Sequence, residues 1–223
     1  MFCEGDEVCL FYRLASEGSA SKYEGFVVIA VVDYGAGNLR SVTNLLDSID
    51  ANYRVIESAD GLLGASHIIL PGVGNFAQIC SAFDRLQIRE SIVEAISSGT
   101  PYLGICLGMQ VLFEKSDEAP GQKGLGVLAG SVNKLDTTAR IPHMGWNTLD
   151  GDSASALCNV GSDQYAYFAH SYFCPINEFT VRSTTQGCTF SSVVEHGNIF
   201  GVQFHPEKSG EFGVSLVQKF VDL

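Results

Sequence analysis

The stretch from Phe26 to Val32 constrains the fold more than any other part of the chain. It is continuously apolar and rich in Val and Ile, so neither alternating face offers a polar side to water. A strand of that kind belongs inside a parallel sheet with helices covering both faces. The segments that follow supply those helices. Asp33-Tyr34-Gly35-Ala36-Gly37-Asn38 reads as a turn, and Leu39, Val42, Leu45, Leu46 and Ile49 then recur at helical spacing. Further strands are expected at Tyr53 to Glu57, at Ser66 to Leu70 (ended by Pro71-Gly72) and at Pro101 to Ile105. Between them, residues 81–97 show helical periodicity through Phe83, Leu86, Ile92, Val93 and Ile96, and another helix is expected to start near Leu107. Strands alternating with helices imply right-handed crossovers and a parallel sheet.

After about residue 124 short strand-like runs take over: Val127 to Leu135, Tyr165 to Phe173, Thr180 to Ser183 and Ser192 to Phe204. Glu195-His196-Gly197-Asn198 reads as a hairpin turn, and a closing helix runs from about Glu211 through Leu216, Val217 and Phe220. The expected fold is therefore α/β, with a mostly parallel central sheet flanked by helices and an antiparallel-rich second half. Residues 1–25 are polar and acidic, without the basic and apolar regions of a secretory signal. They are expected to form a peripheral extension, leaving 26–223 as one domain.

Composition excludes several classes of function. The formal net charge of −12 argues against a nucleic-acid binder, which would carry a basic stripe. No apolar run approaches the roughly 20 residues of a membrane span. Seven cysteines, an odd number without regular spacing, do not form a disulfide framework. They include no CxxC pair and no zinc-ligand spacing, so no metal and no cofactor is expected. Reduced thiols in a cytoplasmic compartment are the simplest account. Gly35-Ala36-Gly37 lacks the third glycine of a dinucleotide fingerprint.

The chemistry concentrates at Gly104-Ile105-Cys106-Leu107-Gly108, a G-x-C-x-G at a strand-to-helix junction. This is the cysteine form of the nucleophile elbow, in which glycines permit a turn too sharp for side chains. The turn lifts the Cys106 sulfur into a crevice at the carboxyl ends of the strands, facing backbone N–H groups that favour a thiolate. The N–H of Leu107 is placed to stabilise an oxyanion, and Gly72 or Val73, in the turn after the third strand, can supply a second donor. Phe204-His205-Pro206-Glu207 supplies a base and its orienting carboxylate. Positions i and i+2 of an extended segment share a side, so His205 and Glu207 can both face Cys106.

These residues carry a resemblance. Gly104-Ile-Cys-Leu-Gly-Met-Gln110 with Phe204-His-Pro-Glu207 resembles the class I (triad) glutamine amidotransferases, whose fold is flavodoxin-like. More narrowly, the chain resembles the glutaminase subunits of imidazole glycerol phosphate synthase. That match is carried by Val32-Asp-Tyr-Gly-Ala-Gly-Asn-Leu39, Leu70-Pro-Gly-Val-Gly-Asn-Phe76, Ile141-Pro-His-Met-Gly-Trp-Asn147 and Phe168-Ala-His-Ser-Tyr172. It spans residues 26–223. Sister amidotransferases more often have His where Met109 stands.

The resemblance implies hydrolysis of glutamine through a thioester on Cys106. It also implies a heterodimer with a separate (β/α)₈ cyclase subunit, which uses the ammonia to make imidazole glycerol phosphate and AICAR from PRFAR. It places Gly72, Gly74, Gln110, Glu118, His170, Ser171 and Tyr172 in the glutamine pocket, and Asn38, Trp146 and Tyr167 near the cyclase. His67, His143 and His196 receive no catalytic role. Two other readings compete: the glutaminase of anthranilate or aminodeoxychorismate synthase, and a stand-alone cysteine hydrolase, which would have no need of the 141–147 segment.

Overall fold

The computed structural model describes residues 27–35, 38–135, 140–159 and 164–223. The extension at 1–25, Phe26 at the head of the first run, and Ala36-Gly37 of the first turn lie outside the described residues. The large sheet has seven strands in the order β10-β11-β12-β4-β3-β1-β2. Its parallel part comprises β1 (Ile29–Val32), β2 (Tyr53–Ile56), β3 (His67–Leu70), β4 (Tyr102–Ile105) and β12 (Ile199–Val202). β10 (Thr180–Gln186) and β11 (Cys188–His196) extend it antiparallel beyond β12. The hairpin expected at 195–198 is the β11–β12 turn.

The first strand explains the layering. Ile29 and Val31 pack with α1 (Leu39–Ser48) and α5 (Gly210–Val221), whereas Ala30 and Val32 face α2 (Phe76–Leu86) and α3 (Arg89–Ser97). All four side chains are fully buried, which is why the run contains no polar position. A smaller three-stranded sheet joins β5 (Phe113–Ser116), β6 (Leu128–Lys134) and β9 (Tyr172–Phe173). A two-stranded ribbon pairs β7 (His143–Leu149) with β8 (Gln164–His170).

One local expectation needs correction, and two features went beyond what was expected. Helical structure before β4 begins at Phe76, where Asn75 and Gln78 form a reciprocal capping box, and it breaks at Gln87, which adopts φ 51°. The helix after Cys106 is a single turn, α4 (Leu107–Gln110). Its residues are buried on every side, so there is no solvent face along which to extend, and the chain passes into β5. β7 carries no strand expectation because its apolar residues alternate with Gly145 and Asn147. Among the described residues no helix is long and apolar enough to cross a membrane.

Candidate active site

Cys106, the Pro71–Gly74 turn and His205 all follow parallel strands at the same edge, after β4, β3 and β12. Adjacent pairing of Leu70 with Gly104 and of Val202 with Ile105 brings the three segments together. Cys106 has φ 53° and ψ −103°, outside the ordinary regions for an L-residue, and its N–H donates to Val202 O at 2.7 Å. Glycines make this turn possible. A Cβ on Gly104 would lie 2.3 Å from Gly108 O, one on Gly108 2.0 Å from Leu70 O, and one on Gly72 2.4 Å from Gly108 N. The turn after β3 therefore packs backbone to backbone on the Cys106 turn.

His205 Nδ1 lies 2.8 Å from Glu207 Oε1, and their side chains are 4% and 1% exposed. The pair does not sit along an extended segment as expected. Pro206–Lys208 forms a short 3₁₀ turn that folds Glu207 back to Nδ1 of the ring. Asn38 Nδ2 donates to the same Glu207 oxygen, and Oε2 is buried with no hydrogen-bond partner among the described residues. Burial would lower the pKa of His205, but attraction to the Cys106 sulfur and to Glu207 outweighs it and raises the value to about 10. An imidazolium beside a sulfur favours the anionic form of that sulfur.

The sulfur opens into a cavity of about 300 Å³. Gly72, Val73, Gly74, Leu107, Gln110, Glu118, His170, Ser171 and Tyr172 line it together with Cys106 and His205, so every residue expected in the pocket or as an oxyanion donor borders one space. Glu118 accepts from the N–H of Phe76 at 2.8 Å, and burial raises its carboxyl pKa. His170 donates from Nδ1 to Tyr172 O at 2.9 Å, and burial lowers its pKa to about 3. Val73 is already engaged: its N–H donates to the Tyr34 hydroxyl at 3.0 Å, and that hydroxyl donates to Val73 O at 2.8 Å.

The three residues expected near a partner lie around the same turn. Tyr167 O accepts from the His205 N–H at 2.9 Å, Lys208 Nζ stands 5.7 Å above the Tyr167 ring, and Trp146 packs edge-on to that ring at 6.3 Å. Trp146 is 57% exposed, while Asn38 is half-buried behind Glu207. Sequence reasoning missed Lys208 and Met144 on the cavity wall, Tyr34 on the Val73 peptide and Gln203 beside the sulfur. Lys208 directly follows Glu207 and was within reach of the motif; Tyr34 and Gln203 gave no local signal. Of the histidines without a role, His196 is exposed, whereas His67 and His143 are buried.

Comparison with known proteins places this arrangement. The family model "Glutamine amidotransferase class-I" matches residues 30–223. The chain is 43% identical over 199 residues to the imidazole glycerol phosphate synthase subunit HisH of Oceanobacillus iheyensis, covering 88% of this chain and 99% of that one. The HisH subunit of Methanothermobacter thermautotrophicus is 42% identical, with 88% and 98% covered. The chloroplastic imidazole glycerol phosphate synthase hisHF of Arabidopsis thaliana is 40% identical, over 87% of this chain and 34% of that protein. Among solved structures, PurLQS from Thermotoga maritima superposes with a TM-score of 0.71 at 22% identity, covering 88% of this chain and 98% of the other, a likeness of fold. The chain belongs to the class-I glutamine amidotransferase family and, within it, groups with the HisH subunits of imidazole glycerol phosphate synthase.

Proposed function

We propose that this chain is the glutaminase subunit of an imidazole glycerol phosphate synthase, with Cys106 as nucleophile and His205 and Glu207 completing the triad. The observation that carries this reading is Cys106 on a strained turn, facing a small-molecule-sized cavity beside a His205–Glu207 pair. The Cys106 thiolate attacks the side-chain amide carbon of glutamine. N–H groups of Leu107 and of Gly72 or Val73 hold the oxyanion; use of Val73 requires its bond to Tyr34 to break. His205 gives its Nε2 proton to the leaving nitrogen, so ammonia departs and a γ-glutamyl thioester remains. Water then attacks the thioester as His205 takes its proton, which frees glutamate and the thiolate. Glu207 accepts the Nδ1–H throughout and stabilises the imidazolium.

Gly72, Gly74, Gln110, Glu118, His170, Ser171 and Tyr172 form the glutamine pocket in this reading. A cavity of about 300 Å³ has room for an amino acid such as glutamine. The ammonia passes to a separate (β/α)₈ cyclase subunit bound in a heterodimer at Asn38, Trp146 and Tyr167. There it converts PRFAR to imidazole glycerol phosphate and AICAR. The exposed Trp146 beside Tyr167 supports that assignment. Residues 26–223 constitute the amidotransferase domain, 1–25 a peripheral extension, and the thiol chemistry suits a reducing, cytoplasmic compartment.

Cys106→Ala tests the role of the nucleophile. With the cyclase present, it should abolish glutamine-dependent turnover and leave turnover with supplied ammonia intact. Loss of both activities would assign Cys106 a different role.

A further inference from the structure

Gln203 follows β12, two residues before His205, and is completely buried. Its main-chain N–H is satisfied by Ser192 O at 2.9 Å, so strand pairing extends past the end of β12. The side chain does something strand pairing does not require. Nε2 points at Cys106 Sγ at 3.7 Å, and Oε1 accepts from Gln110 Nε2 at 3.1 Å.

The orientation of that carboxamide is forced. Gln110 Nε2 also donates to Tyr172 O at 2.8 Å, and a carbonyl can only accept. The Gln110 amide nitrogen therefore faces both partners, Gln203 must present its oxygen to Gln110, and its NH₂ must face the sulfur. The far side of the chain is equally determined. Tyr172 O also receives His170 Nδ1–H at 2.9 Å, which leaves His170 Nε2 to accept from His143 Nδ1 at 3.0 Å. His143 Nε2 then accepts from Asn147 Nδ2 at 3.3 Å. From Asn147 to Cys106, each donor and acceptor has a single consistent assignment.

We propose that Gln203 is a positioning residue for the nucleophile, whose carboxamide, locked by Gln110, holds an N–H donor against Cys106 Sγ and thereby favours the thiolate over the thiol. A thiolate accepts from that donor, whereas a thiol meets a donor where it needs an acceptor. The carbonyl of Ala169, at 4.0 Å from the sulfur, is at the long limit for an S–H donor. Other groups around the sulfur do not replace Gln203. His205 supplies charge from beyond β12, Tyr34 and Cys174 remain neutral because burial raises their pKa values, and burial keeps His170 uncharged. Glu118 and Lys208 carry the remaining titratable groups of the cavity wall, with the Tyr172 phenol. This inference rests on Cys106 being the nucleophile.

The test is a pH titration of the ultraviolet thiolate absorbance of the full chain. Each spectrum is taken as the difference from the same background carrying Cys106→Ala. Gln203→Met keeps the volume and removes the donor; it should move the Cys106 midpoint up by about one pH unit, a tenfold loss of thiolate at fixed pH below it. Gln110→Met unlocks the amide without removing it and should move the midpoint the same way by less. A purely structural role for Gln203 would alter thermal stability but leave the titration in place. Coincident midpoints in the folded Gln203→Met protein would overturn the proposal; if that variant does not fold, a wild-type midpoint in Gln110→Met does so. Because glutamine is absent from the titration, a chain that lacks glutaminase activity would defeat the functional reading independently of this result.

Discussion

A side-chain-bearing residue at φ 53° and ψ −103° stores on the order of 1–3 kcal/mol of backbone strain, and Cys106 is held there by contacts that tolerate no Cβ. Gly108→Ala would place a methyl 2.0 Å from Leu70 O, a backbone atom that cannot swing aside. It should cost about 1–3 kcal/mol in urea denaturation and lower glutamine turnover further by displacing the Leu107 N–H. Tyr34→Phe removes the hydroxyl that engages both the main-chain N–H and the carbonyl of Val73. It should destabilise the chain by about 1–3 kcal/mol and raise the glutaminase rate without partner, because the Val73 N–H becomes available. An unchanged rate would remove Val73 from the oxyanion site. Cys106, His205 and Glu207 were legible because each belongs to a short motif whose chemistry is local. Tyr34 and Gln203 were not, since their partners lie 39 and 97 residues away and nothing nearby in sequence encodes the contact.

At the scale of elements, the ribbon of β7 and β8 carries a buried histidine pair whose pH dependence has a definite sign. Burial lowers the pKa of His170, to about 3, and also that of His143, while the unfolded chain titrates at the ordinary 6.5. Between these values the unfolded state binds more protons, so stability rises with pH there. The contribution is complete above about 6.5 and is lost as the pH falls toward 3. Urea midpoints should therefore drop on acidification below 6.5, and His170→Gln should flatten that slope; an unchanged slope would mean His170 is not the linked group. The parallel strands were legible from their unbroken apolar runs. The break at Gln87 was not, because a left-handed Gln between two helices leaves no Gly or Pro to mark it. The start of α4 near Leu107 was legible but its length was not: an apolar segment buried all round has the same composition whether it forms one turn or three.

On the scale of the whole molecule, one edge of the sheet collects Cys106, His205 and the Pro71–Gly74 turn, while the β7–β8 ribbon turns Met144, Trp146 and Tyr165 toward solvent. The ribbon backs onto the cavity through the Asn147–His143–His170 chain, and Tyr167 holds the His205 backbone. A partner seated on Trp146 would thus press on the elements that carry His205 and Glu207. Trp146→Ala should weaken cyclase binding by about 2 kcal/mol or more, read by calorimetry, while leaving the unfolding free energy of the free chain in urea within about 0.5 kcal/mol of wild type. The most direct test of a partner-dependent glutaminase is the initial rate of glutamine hydrolysis by this chain, alone and then with a histidine-pathway cyclase and its nucleotide ligand. Weak hydrolysis alone and a large stimulation in the complex are predicted; a full rate without any partner would contradict the account.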